Sequence, residues 1–142
     1  MNILKVFDLA IKGIELKTIN TIYVSVDIHD TIIKGYVDDI IYLGDALPCL
    51  HKLTELHPLF TLTMWSLCSE SKLLEYQELF KKDGINFNLI NTNPRQVHGK
   101  IYSNIIIDDR SGFEPETDWK SILDYLNTSN EIQKIIKEFE FK

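Results

Sequence analysis

Apolar positions along the chain change period several times, and each change marks an element. Over residues 2–16, Ile3, Val6, Phe7, Ala10 and Ile14 recur at three- and four-residue spacing, which predicts an amphipathic helix packed on the domain. The polar stretch Lys17-Thr18-Ile19-Asn20 ends it, so residues 1–20 read as a helical extension ahead of the main fold. A β-prone run near 22–27 follows and stops at Asp27, the pattern of a buried strand that delivers a carboxylate to its carboxyl end. From Thr31 to Gly44 the chain is mixed, with Gly35, Tyr36 and Asp38-Asp39, and too short to form a separate cap domain. Asp45 then stands where it can cap a helix to about 56, with Leu47, Leu50, Leu53 and Leu56 on one stripe and Pro48 tolerated in the first turn.

The second half repeats the alternation. Leu59 to Trp65 reads as a strand, and Ser66-Leu67-Cys68-Ser69 leads into a helix with Leu73, Tyr76 and Phe80 in register and Gly84 at its end. A third strand is expected near 86–90, a turn at Asn91-Thr92-Asn93-Pro94, and a fourth strand at Ile105-Ile106-Ile107, running into Asp108-Asp109-Arg110. Ser111 to Pro115 reads as loop, Asp118 as the cap of a helix using Trp119, Ile122, Leu123 and Leu126, and Thr128 with Glu131 as a capping box opening a last helix with Ile132, Ile135, Ile136 and Phe139 inward. Strands alternating with helices predict a three-layer, Rossmann-like α/β fold: a mostly parallel sheet with helices on both faces and no separate cap domain.

Composition narrows the class. With 142 residues and 44% hydrophobic content, one domain with a real core is expected over 1–142. The net charge of -6 and the lack of any Lys/Arg cluster argue against an extended nucleic-acid surface, although binding a single nucleotide stays compatible. Cys49 and Cys68 lack metal-ligand spacing, and His51, His57 and His98 show none either. No apolar run has the length of a membrane span and the N-terminus lacks the order of a signal peptide, so a reduced, cytoplasmic protein is the expectation.

The chemistry gathers at strand ends. Asp27 closes the first strand and Asp108-Asp109 closes the fourth; side by side, these acids would repel one another unless a cation neutralised them. Open α/β sheets hold ligands at that end. Ser66 follows the second strand, where Ser66, Ser69 and Glu70 suit either phosphate contact or helix capping, and Lys100 stands just ahead of the fourth.

The ordered set Asp27-Ile28-His29-Asp30-Thr31, Ser66, Lys100 and Asp108-Asp109 resembles the haloacid dehalogenase superfamily over roughly residues 22 to 126. Leu62 to Ser66, Asn91 to Pro94, and Lys100 through Arg110 to Asp118-Trp119 are similar to its small, capless branch, which includes hydrolases resembling the deoxyribonucleotidases. The resemblance implies a Mg²⁺-dependent phosphomonoester hydrolase acting on a small phosphorylated substrate, with a nucleotide as the preferred guess. Asp27 would be the nucleophile; Asp27, Asp108, the backbone carbonyl of His29 and, through water, Asp109 would hold Mg²⁺. Ser66 would donate to a phosphoryl oxygen, Lys100 would steady nucleophile and phosphate, and Thr31 would order the turn. A receiver domain shares the aspartyl-phosphate chemistry, but its acid pair precedes the phosphorylated Asp, the reverse of the order here.

One position departs from the superfamily's usual Asp-x-Asp-Gly-Thr. The slot of the second acid, which protonates the leaving oxygen and activates water, holds His29, and Asp30 stands where glycine is usual. Imidazole titrates near neutrality and suits either proton transfer, yet a cationic ring beside a metal is disfavoured. Two readings follow: His29 or Asp30 serves as acid and base, or the chain is a catalytically degenerate relative that binds metal or phosphate in a regulatory role. Trp65 and Trp119 read as core or rim packing, Asp38-Asp39 as a solvated turn, and Arg110 as a counter-charge to the acid pair or a phosphate contact.

Overall fold

A computed structural model describes residues 2–92 and 103–140, with side chains through 138. Lys100, His98, Asn93 and Pro94 lie outside the described residues, as does the side chain of Phe139. The element order begins with α1 (Ile3–Glu15) and β1 (Ile22–Val26), followed by the short strands β2 (Ile33–Lys34) and β3 (Ile41–Tyr42) and by α2 (Ala46–Glu55). Then come β4 (Phe60–Met64), α3 (Glu70–Lys82), β5 (Leu89–Ile90), β6 (Ile105–Ile107), a 3₁₀ turn at Asp109–Ser111, α4 (Pro115–Thr128) and α5 (Asn130–Glu140). Among the described residues four strands form a parallel sheet in the order β5-β4-β1-β6, and β2 and β3 pair as a separate antiparallel hairpin. The fold is a three-layer, Rossmann-like α/β fold.

Its register explains the sequence pattern. Val24 lies beside Leu62 and Ile105, and Val26 beside Met64 and Ile107, so one face of the sheet is a slab of buried aliphatics. The alternate positions are polar: Ser25 pairs with Thr63 and Tyr23 with Thr61. The Ser25 and Ser103 hydroxyls hydrogen-bond each other, and those of Thr21 and Thr61 do so at 2.8 Å. One apolar cluster runs through every helix. The extension predicted at residues 1–20 is part of it, because Ile3, Phe7, Ala10 and Ile11 of α1 are buried and Phe7 meets Phe60 and Tyr125 at ring-centroid distances of 5.9 and 6.0 Å. Removing those side chains from water contributes on the order of 5 kcal/mol or more, which makes α1 integral rather than appended.

Three boundaries and one cap differ from expectation. Asp45 occupies the cap position of α2 but its side chain makes no cap hydrogen bond. Helix α4 starts at Pro115, not after Asp118, because proline's fixed φ suits a first helical position; Asp118 sits in the first turn and accepts from the Glu114 amide at 2.8 Å. Thr128 is the last residue of α4, its hydroxyl donating to the Asp124 carbonyl at 2.7 Å, and Ser129 is the residue that accepts from the Ile132 amide to open α5. The third strand shrinks to two residues, since the Asn86 amide turns to the Thr54 hydroxyl and leaves the ladder.

The segment from 31 to 44 holds the β2–β3 hairpin, whose strands are too short to show a period. The Tyr42 hydroxyl donates to Asp83 at 2.6 Å, tying the hairpin to the end of α3. Gly84 closes that helix with φ +84, a left-handed conformation that favours glycine, as expected for the terminal residue.

Candidate active site

The parallel ladder continues one residue past the strands and aims the acids. The Asp27 amide donates to the Ile107 carbonyl and the Trp65 amide to Val26, each at 2.9 Å, so Asp27 emerges between β6 and β4. Asp108 leaves β6 in extended conformation and its carboxylate accepts from the Arg110 amide at 3.0 Å, starting the 3₁₀ turn that brings Asp109 back. Carboxylate oxygens of Asp27, Asp108 and Asp109 lie within 4.8 Å of one another, all half-buried.

Thr31 stitches this group together. Its hydroxyl lies 3.2 Å from Asp27 Oδ2 and 3.1 Å from Asp109 Oδ1, and it accepts from the Asp109 amide at 3.1 Å. One hydroxyl carries one proton, so it can donate to only one of the two acids at a time. The buried Trp119 indole in turn donates to the Thr31 carbonyl at 2.8 Å and fixes the turn from α4. Trp119 is therefore core, as expected, and also a tether for the site.

Within the turn, the Ile28 carbonyl accepts from the Ile32 and Ile33 amides at 2.8 and 3.2 Å, and Asp30 takes φ +63. That left-handed position explains why glycine is usual there in the resembled motif; Asp is among the few other residues that adopt it at modest cost. The His29 ring shares a 2.9 Å hydrogen bond between Nε2 and the hydroxyl of buried Tyr76, packing edge-on with centroids 5.4 Å apart. Tyr36 of the hairpin lies 5.9 Å from the same ring.

Ser66 closes the third side. Its amide donates to Asn91 Oδ1 and its carbonyl accepts from Asn91 Nδ2, both at 2.9 Å. Its hydroxyl accepts from the Cys68 amide at 3.2 Å, while Ser69 caps α3 by accepting from Lys72. The capping job foreseen for this segment thus falls on Ser69, and Ser66 faces the cavity. An open cavity of about 710 Å³ is lined by Asp27, His29, Asp30, Ser66, Asp108, Asp109 and Arg110, with Trp65, Leu67, Cys68 and Asn91 completing the wall. That volume suits a small organic phosphate.

Electrostatics single out one acid. Burial, and next the charge of Asp108, push Asp27 up to about 6. A half-buried group of three carboxylates, all hard oxygens, fits a divalent cation that would offset their mutual repulsion. The His29 imidazole is outside this oxygen cluster.

Sequence reasoning found Asp27, His29, Ser66, Asp108 and Asp109, which the fold brings to one cavity. It missed Asn91, read only as turn, and the polar end of Tyr76, read only as a core ring. The signal for Asn91 was its place directly after a predicted strand.

No protein-family model matches the chain, and no curated protein matches it. Among solved structures the chain is similar to one described as the conserved protein coded by a locus from Bacteroides thetaiotaomicron. Identity is 25%, the match covers 76% of this chain and 91% of that chain, and the TM-score is 0.61. The likeness bears out the α/β fold. Among the described residues no helix is long and apolar enough to cross a membrane.

Proposed function

We propose that this chain is a Mg²⁺-dependent phosphomonoester hydrolase of the haloacid dehalogenase type, acting through an aspartyl-phosphate on Asp27. The observation that carries this reading is the convergence of Asp27, Asp108 and Asp109 at adjacent parallel strand ends, in a cavity that also presents Ser66. Asp27, Asp108 and Asp109 would hold the cation, which when bound lowers the repulsion between carboxylate and phosphate.

An Asp27 oxygen attacks phosphorus, the ester P–O bond breaks, and the substrate oxygen leaves with the electron pair and takes a proton. Water then attacks the phosphorus of the acyl phosphate, releasing inorganic phosphate and restoring the carboxylate. His29 and Asp30 are the cavity groups beside Asp27 for these proton transfers. Ser66 donates to a phosphoryl oxygen, and Lys100 is assigned its charge-neutralising part by the family resemblance alone. A small phosphorylated metabolite, with a nucleotide first by resemblance, is the substrate class, and a reduced cytoplasmic setting agrees with the two free cysteines.

A second reading has its own support. The His29 ring is already engaged by Tyr76, an arrangement suited to a degenerate relative that binds metal or phosphate without turnover. Phosphate release from a panel of phosphomonoesters, including nucleoside 5′- and 3′-monophosphates, separates the two. Release that needs Mg²⁺, stops in EDTA and is absent in Asp27→Asn supports the hydrolase; cation binding with no release from any substrate supports the binding protein.

A further inference from the structure

The wall of the cavity at Ser66 is held by a side chain as well as by the sheet. After β4 the chain leaves the ladder at Ser66, and nothing in the strand pairing fixes where that residue stops. Asn91 supplies the constraint through three bonds: its own amide donates to the Met64 carbonyl at 2.8 Å, and its side-chain amide pairs reciprocally with the Ser66 backbone, Oδ1 accepting and Nδ2 donating at 2.9 Å each. Asn91 does this from φ +50, in the left-handed region.

Few residues meet both demands. Asn tolerates that conformation, and its amide offers one acceptor and one donor side by side. Asp would satisfy the Ser66 amide but turn a second anionic oxygen toward the Ser66 carbonyl; Ala and Gly would satisfy neither. The result reaches the hydroxyl. Ser66 Oγ accepts from the Cys68 amide at 3.2 Å, which occupies a lone pair and leaves its own proton, without an acceptor among the described residues, to donate into the cavity.

The geometry points to Asn91 as the positioning residue that sets Ser66 for a phosphoryl oxygen, so that the clamp on the backbone, rather than Ser66 alone, determines phosphate affinity and turnover. This rests on the reading of the cavity as a phosphotransfer site. Both polar atoms of the Asn91 side chain are engaged by the Ser66 backbone, so its part in that reading is positioning.

The test is a double-mutant cycle with Ser66→Ala and Asn91→Gly, adding Asn91→Asp, in Mg²⁺. It reads kcat and KM on para-nitrophenyl phosphate and the affinity for inorganic phosphate by calorimetry. Glycine accepts φ +50 without strain, so Asn91→Gly removes the clamp while sparing the backbone, and melting curves of each variant accompany the kinetics. Expected are losses in kcat/KM of roughly 10- to 100-fold for Ser66→Ala and about 10-fold for Asn91→Gly, with phosphate affinity falling in both.

The double variant should lie within about threefold of Ser66→Ala, because the two act as one unit. Asn91→Asp should recover part of the loss by keeping the bond to the Ser66 amide. Additive losses, or an Asn91→Gly variant with wild-type constants, would overturn the assignment while leaving the hydrolase intact. A wild-type chain with neither turnover nor phosphate affinity would overturn it together with the reading of the site.

Discussion

Replacing Asp27 with Asn should stabilise the metal-free protein at neutral pH. The carboxyl is pushed up to about 6 from an ordinary 3.8, first by burial and then by Asp108. Its folded pKa exceeds its unfolded one, so the folded state holds the proton more tightly. Ionisation therefore costs stability progressively as pH rises from about 4 to about 6, and the loss persists above that. At face value two pKa units correspond to about 3 kcal/mol, and solvent screening at a half-buried site reduces this to about 1–2 kcal/mol.

Asn is nearly isosteric, still accepts from the Thr31 hydroxyl 3.2 Å away, and carries no charge. Thermal melts in EDTA at pH 7.5 should place Asp27→Asn roughly 3–7 °C above wild type, with the gap closing toward pH 4.5. Saturating Mg²⁺ should reverse the order by stabilising wild type more. A variant less stable than wild type in EDTA at pH 7.5, or a gap that does not narrow with acid, would refute the electrostatic argument.

Two further outcomes follow from particular contacts. Trp119→Phe keeps the edge-on packing against Phe113 but orphans the Thr31 carbonyl; it should cost about 1–3 kcal/mol in urea titration and weaken Mg²⁺ binding in calorimetry by loosening the turn that carries Asp27. Native protein should consume one thiol equivalent of an aromatic disulfide reagent, at half-buried Cys68. Cys49 is fully enclosed in α2, and burial pushes its thiol up, so it should react only on unfolding; equal rates at both would contradict the packing.

The fold was readable because period and polarity agreed along most of the chain. Asp27 and Asp108 could be placed at strand ends from the chain alone, since each ends an apolar run that had to be buried, and parallel pairing then put them together. What was hidden depended on contacts distant in sequence. Tyr76 falls in the apolar stripe of α3, and only the docking of that helix shows its hydroxyl meeting His29, 47 positions earlier. Asn91 reads as a turn residue because the partner that gives it a task, Ser66, is 25 positions away. The errors at Asp118 and Thr128 came from choosing the acid or hydroxyl nearest the apolar pattern when Pro115 and Ser129 were the true boundary residues. The hairpin escaped notice because two-residue strands have no period to detect.

The most direct test of the central claim is covalent. Protein turning over para-nitrophenyl phosphate in Mg²⁺ is quenched in acid, treated with borohydride, which reduces an acyl phosphate to the alcohol, and digested for peptide mass spectrometry. The aspartyl-phosphate account predicts homoserine at position 27, dependent on both substrate and Mg²⁺, with Asp108 and Asp109 unchanged. Metal-dependent phosphate release from protein whose Asp27 stays unmodified would contradict it, assigning the attack on phosphorus to water.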